Sequence, residues 1–392
     1  MRKARFRRAF SPLLLLLAPL VLSGCWSQHE LPELGFVMGV ALDEAGDGNI
    51  ALTAQIYRPT PSGTSQGKSR SGSAFVNIRT EDNSVEEAIR DIPLHLGRRA
   101  QWSHMRLILV SERIAARRNV GELLDVFYRD HEPRLTASVA VTEGDAAEFL
   151  TRPPLVEQTT SQQLLRAMQD SYSNAGKTIK SNLLLMGMEM LGGNGDAALP
   201  YVSKKMKGGS FTVAGAALLK KGKMVGMLES KYVEGLLMLR DSYPSGMQNL
   251  PCPGQPDKTE SVEVLSYSRR LKPVLSEDHP SVLLNADVAV AIGELKCTVI
   301  KTKKDEQKFV NRLEQLFAGE ISETYELLQQ QRIDVIGIGQ RIFAHHPALW
   351  RKWKPDWERR FAAMPLSVRV HIQIVTSGTS ISRPAVDAEG AK

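Results

Sequence analysis

The first 25 residues constrain the rest of the chain most, because they predict that the folded part begins only after them. Residues 1–10 contain five arginine and lysine residues and no acid, and an apolar stretch runs from Pro12 to Leu22. A basic start, a short apolar run and small residues are typical of a secretory signal peptide. The run is well below the roughly 20 residues that a membrane-spanning helix needs. The pattern therefore predicts a cleaved signal peptide at residues 1–24.

The leader ends in Leu22-Ser23-Gly24-Cys25, which looks like a bacterial lipobox. We predict cleavage between Gly24 and Cys25, with Cys25 then becoming an N-acyl, S-diacylglycerol cysteine. A thiolate is the nucleophile that forms such a thioether, and two acyl chains hold a protein on a membrane stably. The alternative is an uncleaved anchor with an incidental cysteine. We expect a mature protein that is anchored to the extracytoplasmic face of a membrane and does not span it.

The formal net charge of +7 is misleading, because loss of residues 1–24 removes five basic residues and leaves +2. A nearly neutral chain gives no electrostatic reason to expect nucleic acid as a partner. Its 42% apolar and 24% charged residues are typical of a globular protein. Roughly 370 mature residues are expected to form more than one domain.

Two cysteines, Cys252 and Cys297, remain after the lipidated one. An extracytoplasmic location permits a disulfide between them, but their spacing alone does not establish it. Cys297 lies in a strand-like run, where a buried free thiol is common. Both interpretations stay open from the sequence.

The element pattern predicts an α+β, multi-domain fold with mixed and antiparallel sheets packed against helices. Residues 34–58 form two expected strands around the acidic turn 43–48, and a Ser84–Glu87 capping box opens a helix. Further helices are expected across Ala115–Asp130 and over 304–332, with Gly319 as a weak point. Hairpins mixed with separate helices favour α+β architecture over a regular βαβ series.

The predicted boundaries follow shifts in composition along the chain. Residues 198–210, ALPYVSKKMKGGS, look like an interdomain connection after a glycine-rich piece. The resulting division is a signal peptide at 1–24, an N-terminal α+β region at 25–205, a C-terminal α+β domain at 206–378 and a disordered tail at 379–392. The N-terminal region could contain two subdomains, and it has a mobile loop at 58–73.

No motif predicts an active site, a metal site or a cofactor. Ser65 and Lys68 satisfy S-x-x-K, but they lie in a low-complexity loop without an S-D-N or K-T-G partner. Gly337-Ile338-Gly339 begins like a dinucleotide loop, but Ile342 occupies the third glycine position. There is also no H-E-x-x-H and no paired C-x-x-C. We therefore expect a protein that is not an enzyme.

Three tryptophans, Trp350, Trp353 and Trp357, occur at helical spacing among basic residues. An interfacial membrane helix has this profile, and so does a helix that packs onto a sheet. Pro355 interrupts the helix interior, which favours core packing.

Four stretches, in order, resemble the C subunit of bacterial spore-germinant receptors, the GerAC or Ger(x)C lipoprotein family. They are Cys25-Trp26 with Glu30-Leu31 and Gly39-Val40, residues 98–150 from RRAQWSHMRLILVSERIA onward, AGAALLKKGKMVGMLESKYVEGLLML, and DVIGIGQRIFAHHPALWRKWKPDWERRF at 334–361. The resemblance covers residues 25–378, and only Cys25 carries over as a functional position. The Ser/Gly loop at 58–73 and the Cys252/Cys297 pair depart from the family pattern.

The resemblance implies a lipid-anchored, non-catalytic subunit on the outer surface of the spore inner membrane. Its partners would be the integral-membrane A and B subunits of a nutrient-germinant receptor that triggers germination. Two other classes remain as alternatives, a substrate-binding lipoprotein of an importer and an envelope hydrolase that uses Ser65. The importer class usually has two lobes of alternating strands and helices around a cleft, which this pattern fits poorly.

Overall fold

The computed structural model describes residues 30–58, 73–204, 211–276 and 279–376, with only the backbone described at Pro256 and Thr376. The predicted signal peptide, Cys25, the S-x-x-K motif and the predicted tail at 379–392 lie outside these residues. Most of the predicted loop at 58–73 does too.

The first sheet has nine strands in the described part of the chain, in the order β3-β2-β1-β5-β6-β7-β8-β9, and β4 pairs with β1. They are β1 (Leu34–Glu44), β2 (Ile50–Tyr57), β3 (Phe75–Asp82), β4 (Arg99–Gln101), β5 (Leu107–Ser111), β6 (Ser138–Thr142), β7 (Ala197–Ser203), β8 (Thr212–Lys220) and β9 (Lys223–Leu228). The strands β1, β5, β6 and β7 are parallel, and antiparallel hairpins flank them on both sides. The sheet is therefore mixed, as the sequence predicts.

Helices cover both faces of this sheet. They are α1 (Val85–Leu96), α2 (Glu112–Arg117), α3 (Val120–Leu123), α4 (Asp125–Arg129), α5 (Ala146–Thr151), α6 (Thr160–Ser173) and α7 (Leu183–Met190). Neighbouring strand residues point to opposite faces, so Leu42 belongs to one hydrophobic core and Ala41 to the other. Burial on both sides explains why the central strands are almost continuously apolar.

The turn and the helix start that the sequence predicts near the beginning of the chain are confirmed. The acidic turn at 43–48 joins the antiparallel strands β1 and β2, and the Ser84 hydroxyl accepts the Glu87 N–H at the start of α1. The single helix expected across Ala115–Asp130 is wrong, because three short helices occupy this region. The Asn119 side chain accepts the N–H groups of Gly121 and Glu122, which starts a new helix.

The connection expected at 198–210 is also wrong in its first half. Residues up to Ser203 form β7, which lies between β6 and β8 and is buried along its whole length. Ser203 of β7 pairs with Thr212 of β8, so one sheet contains strands from both sides of the predicted domain boundary. The β8–β9 hairpin thus extends the sheet that the earlier residues build.

Among the described residues, the second sheet has four strands, in the order β10-β11-β12-β13. They are β10 (Gly246–Cys252), β11 (Gln255–Val274), β12 (Ser281–Glu294) and β13 (Leu366–Thr376), and the accompanying helices are α8 (Ser230–Arg240), α9 (Lys303–Gln330), α10 (Ile338–His345), α11 (Pro347–Trp353) and α12 (Trp357–Ala362). Burial alternates along β12, so one face packs on the helices and the other is exposed. The helix α9 continues through Gly319.

The tryptophan segment belongs to the second core. Trp350, Trp353 and Trp357 are all buried, and the rings of Trp350 and Trp357 meet edge to face at 5.2 Å. The core-packing interpretation is therefore confirmed.

Candidate functional site

The predicted lipid attachment site lies just before the described chain. Four residues lie between Cys25 and Glu30, where a short 3-10 turn leads into β1. Lipidation of Cys25 therefore stays a prediction. Among the described helices, none combines the length and the apolar character that a bilayer crossing requires.

The two remaining cysteines are joined in the structure. A disulfide links Cys252, at the end of β10, to Cys297, in the loop that follows β12, with their Cα atoms 6.0 Å apart. The carboxylate of Glu260 is fully buried beside it. The bond ties the edge strand β10 to the segment that leads into α9.

Glu260 holds the same loop by hydrogen bonds. Its Oε1 accepts the backbone N–H groups of Lys296, Cys297 and Thr298 at 3.2, 3.0 and 2.7 Å. Its Oε2 accepts the Thr298 hydroxyl at 2.7 Å and lies 3.5 Å from an Arg312 nitrogen. Cys252, Glu260 and Cys297 together have metal-ligand chemistry, but the sulfur atoms are bonded to each other and the carboxylate is occupied by donors. The group therefore acts as a clamp on the loop.

A second buried carboxylate, Asp334, lies where the two sheets meet. Its Oδ1 accepts the N–H groups of Gly337 and Ile338 at 3.0 and 3.1 Å. Its Oδ2 accepts the Gly339 N–H at 2.6 Å and the Trp357 indole N–H at 3.2 Å. Burial raises the pKa of Asp334, and these four donors oppose that shift. We call this arrangement the Asp334 centre.

The backbone conformation and the close contacts of this segment explain why it contains Gly337 and Gly339. Gly337 has φ +79°, a conformation that favours glycine. A Cβ atom on Gly339 would lie 2.8 Å from Trp350 and 3.0 Å from the Trp357 indole nitrogen. The G-I-G sequence thus lets the backbone approach a carboxylate and two tryptophans, and no phosphate site is needed to explain it.

Residues of the first sheet complete the Asp334 centre. Asp196, next to β7, accepts the Asp334 N–H at 3.0 Å, and the Asn194 amide donates to the Asp334 carbonyl at 2.7 Å. Burial, and then the nearby charge of Asp334, raise the pKa of Asp196 to about 6, although the Asp334 N–H opposes the rise. Beside the two aspartates, Lys221 forms an ion pair with Glu358, with its Nζ 2.9 Å from the Glu358 Oε1. The arrangement can join the two sheets, and it presents no nucleophile.

A pair of acids lies between α8 and α9. Glu234 is buried, pairs with Lys177 and accepts hydrogen bonds from Tyr243 and Gln248. Burial, followed by the charge of Glu234, raises the pKa of Glu320 to about 8. Its Oε2 is buried and has no hydrogen-bond partner among the described residues. Glu320 is therefore largely protonated at neutral pH.

A groove with a volume of about 1050 Å³ runs between α1 and the helices α3 and α4. Three of the four arginines that line it are paired with acids, and the fourth, Arg118, donates to the Gly48 carbonyl. Arg90 contacts Glu86 at 2.6 Å and Arg129 contacts Asp125 at 2.5 Å. An open groove lined by neutralised charges lacks the converging polar groups of a catalytic pocket.

Sequence reasoning missed the Asp334 centre. Asp334 stands three residues before Gly337, which starts a helix. This spacing could have indicated the centre, because a short acidic side chain caps exposed N–H groups. The partners Asp196 and Trp357 had no such signal, since they come from distant parts of the chain.

The fold and its polar centres define a class: a two-sheet α+β protein whose most buried carboxylates hold backbone together. The family models match it in two parts, "Spore germination protein N-terminal domain" over residues 27–204 and "Spore germination B3/GerAC like, C-terminal" over residues 214–378. The chain belongs to the GerAC family of spore germination proteins. The resemblance drawn from the sequence is thus confirmed.

Individual relatives agree along nearly the whole length. The chain is 24% identical to spore germination protein KC of Bacillus subtilis (strain 168), over 95% of this chain and 96% of that protein. It is 25% identical to spore germination protein B3 of the same organism, over 92% and 96%. The crystal structure of the GerBC protein matches with a TM-score of 0.53 at 20% identity, covering 86% of this chain and 97% of that one, which confirms the α+β fold.

Proposed function

We propose that the protein is the lipid-anchored, non-catalytic C subunit of a nutrient-germinant receptor. Its acylated Cys25 would hold it on the outer surface of the spore inner membrane, beside the integral-membrane A and B subunits. The germination role is supported by the family assignment, since both family models describe spore germination proteins. The lipobox Leu22-Ser23-Gly24-Cys25 supports the anchor.

The structural use of the buried acids supports a non-catalytic role. Asp43 accepts the Ala146 and Ala147 N–H groups at 2.7 and 2.9 Å at the start of α5. Glu260 and Asp334 likewise accept backbone N–H groups. Carboxylates occupied in this way are poorly placed to act as general bases, because a base must reach the proton that it removes.

The family assignment supports a germination subunit rather than the binding protein of an importer. The long antiparallel strands β11 and β12 also differ from the two alternating lobes that such binding proteins usually have. Calorimetry of the mature chain against amino acids and sugars checks this choice, because micromolar binding by the isolated chain would favour the importer.

Spores tested with nutrients provide the main experiment. In the native host, with every other gene of the family deleted, Cys25→Ala is expected to abolish nutrient-triggered germination, followed as loss of optical density. The neighbouring Ser27→Ala is the matched control and should germinate normally. Normal germination of the Cys25→Ala spores, with the protein still in their membrane fraction, would contradict the proposal.

A further inference from the structure

The first sheet has an end that lies close to Cys25, which we call the proximal end. It consists of the starts of β1, β4, β5 and β6 and the segments that lead into them. Leu34 pairs with Arg99, and Gly39 pairs with Leu107, which pairs in turn with Ser138. The five residue-to-residue steps from Cys25 to Glu30 can span at most about 18 Å when extended. A lipid on Cys25 would therefore keep the proximal end near the bilayer.

Large apolar side chains are exposed around this end. The exposed fractions are 71% for Leu31, 78% for Leu94, 76% for Leu155 and 88% for Val156. Leu135 and Leu184 add two half-exposed side chains, at 41% and 47%. Single exposed leucines are ordinary, but a cluster indicates an interaction surface.

Contacts place these side chains at the same end of the sheet. The Leu184 N–H donates to the Leu135 carbonyl at 3.0 Å, in the segment that leads into β6. The loop with Leu155 is held where β2 ends, by the Tyr57 hydroxyl 3.0 Å from Gln158. The last turn of α1 contacts the start of β1, since a Cβ atom on Gly35 would lie 2.5 Å from Leu96.

Three exposed arginines lie among the apolar side chains. Arg98 follows α1, Arg106 precedes β5 and Arg134 is next to Leu135. None of the three has a carboxylate within salt-bridge distance in the part of the chain that the structure describes. Apolar side chains mixed with free cations are typical of a surface that lies on anionic lipid.

The opposite end of the same strands differs both in its exposed apolar side chains and in the partners of its arginines. Within residues 43–50, 82–84, 111–113 and 142–146, all of them described, no large apolar side chain is exposed. Arg113 there pairs with Asp145 and Arg117 pairs with Glu44, while Arg118 donates to the Gly48 carbonyl. The contrast indicates that the proximal end faces a different environment.

We propose that the proximal end rests on the surface of an anionic lipid bilayer, with its exposed leucines in the headgroup region and its arginines on lipid phosphates. This inference depends on the anchor at Cys25 that the proposed function includes. It adds an orientation, because the sheet would stand with its β1 start toward the membrane and its β1–β2 turn away from it.

Spin labels on the full acylated chain test the orientation. Cys25 is acylated and the other two cysteines are paired, so one added cysteine can be labelled, as Leu94→Cys or Leu155→Cys at the proximal end. Asn83→Cys at the opposite end is the matched control. In phosphatidylglycerol vesicles, we expect accessibility to a water-soluble nickel complex to be at least about threefold lower at the two proximal positions than at Asn83.

The outcomes separate this inference from the anchor. Chains that float with the vesicles but have equal accessibility at both ends contradict the orientation alone. Chains that carry no acyl group and do not float contradict the anchor, and the inference with it. Labels that are exposed on vesicles but protected in native spore membranes would assign the surface to a protein partner and overturn the lipid proposal.

The arginines give a second measurement. Replacing Arg98, Arg106 and Arg134 by serine is expected to raise the nickel accessibility at Leu94→Cys in phosphatidylglycerol to the value found in neutral phosphatidylcholine. The matched control is Arg90→Ser, which removes a surface arginine paired with Glu86. No change in the triple variant would contradict the ionic part of the proposal.

Discussion

Helices cover both faces of the first sheet, whereas the described part of the chain covers only one face of the second sheet. In β2, every residue from Ile50 to Ile56 is buried. In β12, buried Val282 and Leu284 alternate with exposed Leu283 and Asn285. The first sheet thus draws its stability from apolar area spread over many strands, and the second sheet has about half of that coverage.

The second sheet has polar centres in addition to its packed face. The Asp334 centre, the Glu260 clamp with its disulfide, and the Glu234–Glu320 pair all lie within the second sheet or between it and the first. The comparison indicates that single polar substitutions should affect the second sheet strongly, while its open face should tolerate change. Four predictions test this difference.

Asp334→Ala should have the largest effect. It leaves three backbone N–H groups and an indole N–H buried without their acceptor, and we expect a loss of about 3–5 kcal/mol in the free energy of unfolding. Denaturant unfolding of the mature chain measures it. Asp287→Ala, on the exposed face of β12, is the control and should change little. Equal losses in both variants would contradict a special role for the Asp334 centre.

Removal of the disulfide should come second. Cys252→Ala with Cys297→Ala is expected to lower the free energy of unfolding by about 2–4 kcal/mol, because the bond restricts the unfolded chain. Reductant should destabilise the wild type by a similar amount and leave the double variant unchanged. Two free thiols in the native wild type, detected by labelling, would show that the bond does not form.

Glu320→Gln should change the pH dependence of stability. The pKa of Glu320 is raised to about 8 in the folded chain and is about 4.3 when unfolded. The folded state binds the extra proton between these values, so wild-type stability falls as pH rises from about 4.5 to about 8, by at most about 1.4 kcal/mol per unit. Asp196, whose pKa is raised to about 6, adds to the decline below that pH. Glu320→Gln should therefore remove the decline between about pH 6 and pH 8, whereas the exposed Glu326→Gln on the same helix should retain it. A variant that follows the wild-type curve would refute the assignment.

The smallest effect is expected on the open face of the second sheet. Leu283→Ala should change the free energy of unfolding by about 0.5 kcal/mol or less, because the side chain is half exposed. Its neighbour Leu284 is fully buried, and Leu284→Ala should cost about 2–5 kcal/mol. Equal losses at the two positions would indicate that an unseen layer covers the open face.

Much of the fold could be predicted because its signals are local. The Ser84–Glu87 capping box and the turn between β1 and β2 each arise from contacts within a few residues. The break at Asn119 could not be predicted in this way. Its side chain donates to the Lys221 carbonyl, and the Val120 N–H donates to the Gly222 carbonyl, about a hundred residues further along the chain.

The candidate site also has one part that the sequence predicts and one part that it does not. The lipobox at Cys25 is a contiguous pattern, so the sequence is enough to predict it. The Asp334 centre joins Asp196, Gly339 and Trp357, and only the tertiary fold brings them together. The glycine-rich piece before β7 predicts a connection there, but burial between β6 and β8 decides the conformation of the strand.

The acyl group at the start of the mature chain is the feature on which the proposed membrane attachment depends. Mass spectrometry of the protein extracted from spore inner membranes tests it directly. We expect the first residue to be Cys25, with a diacylglycerol on its sulfur and an acyl group on its nitrogen. An intact leader, or a free Cys25 sulfhydryl on membrane-bound protein, would contradict the account.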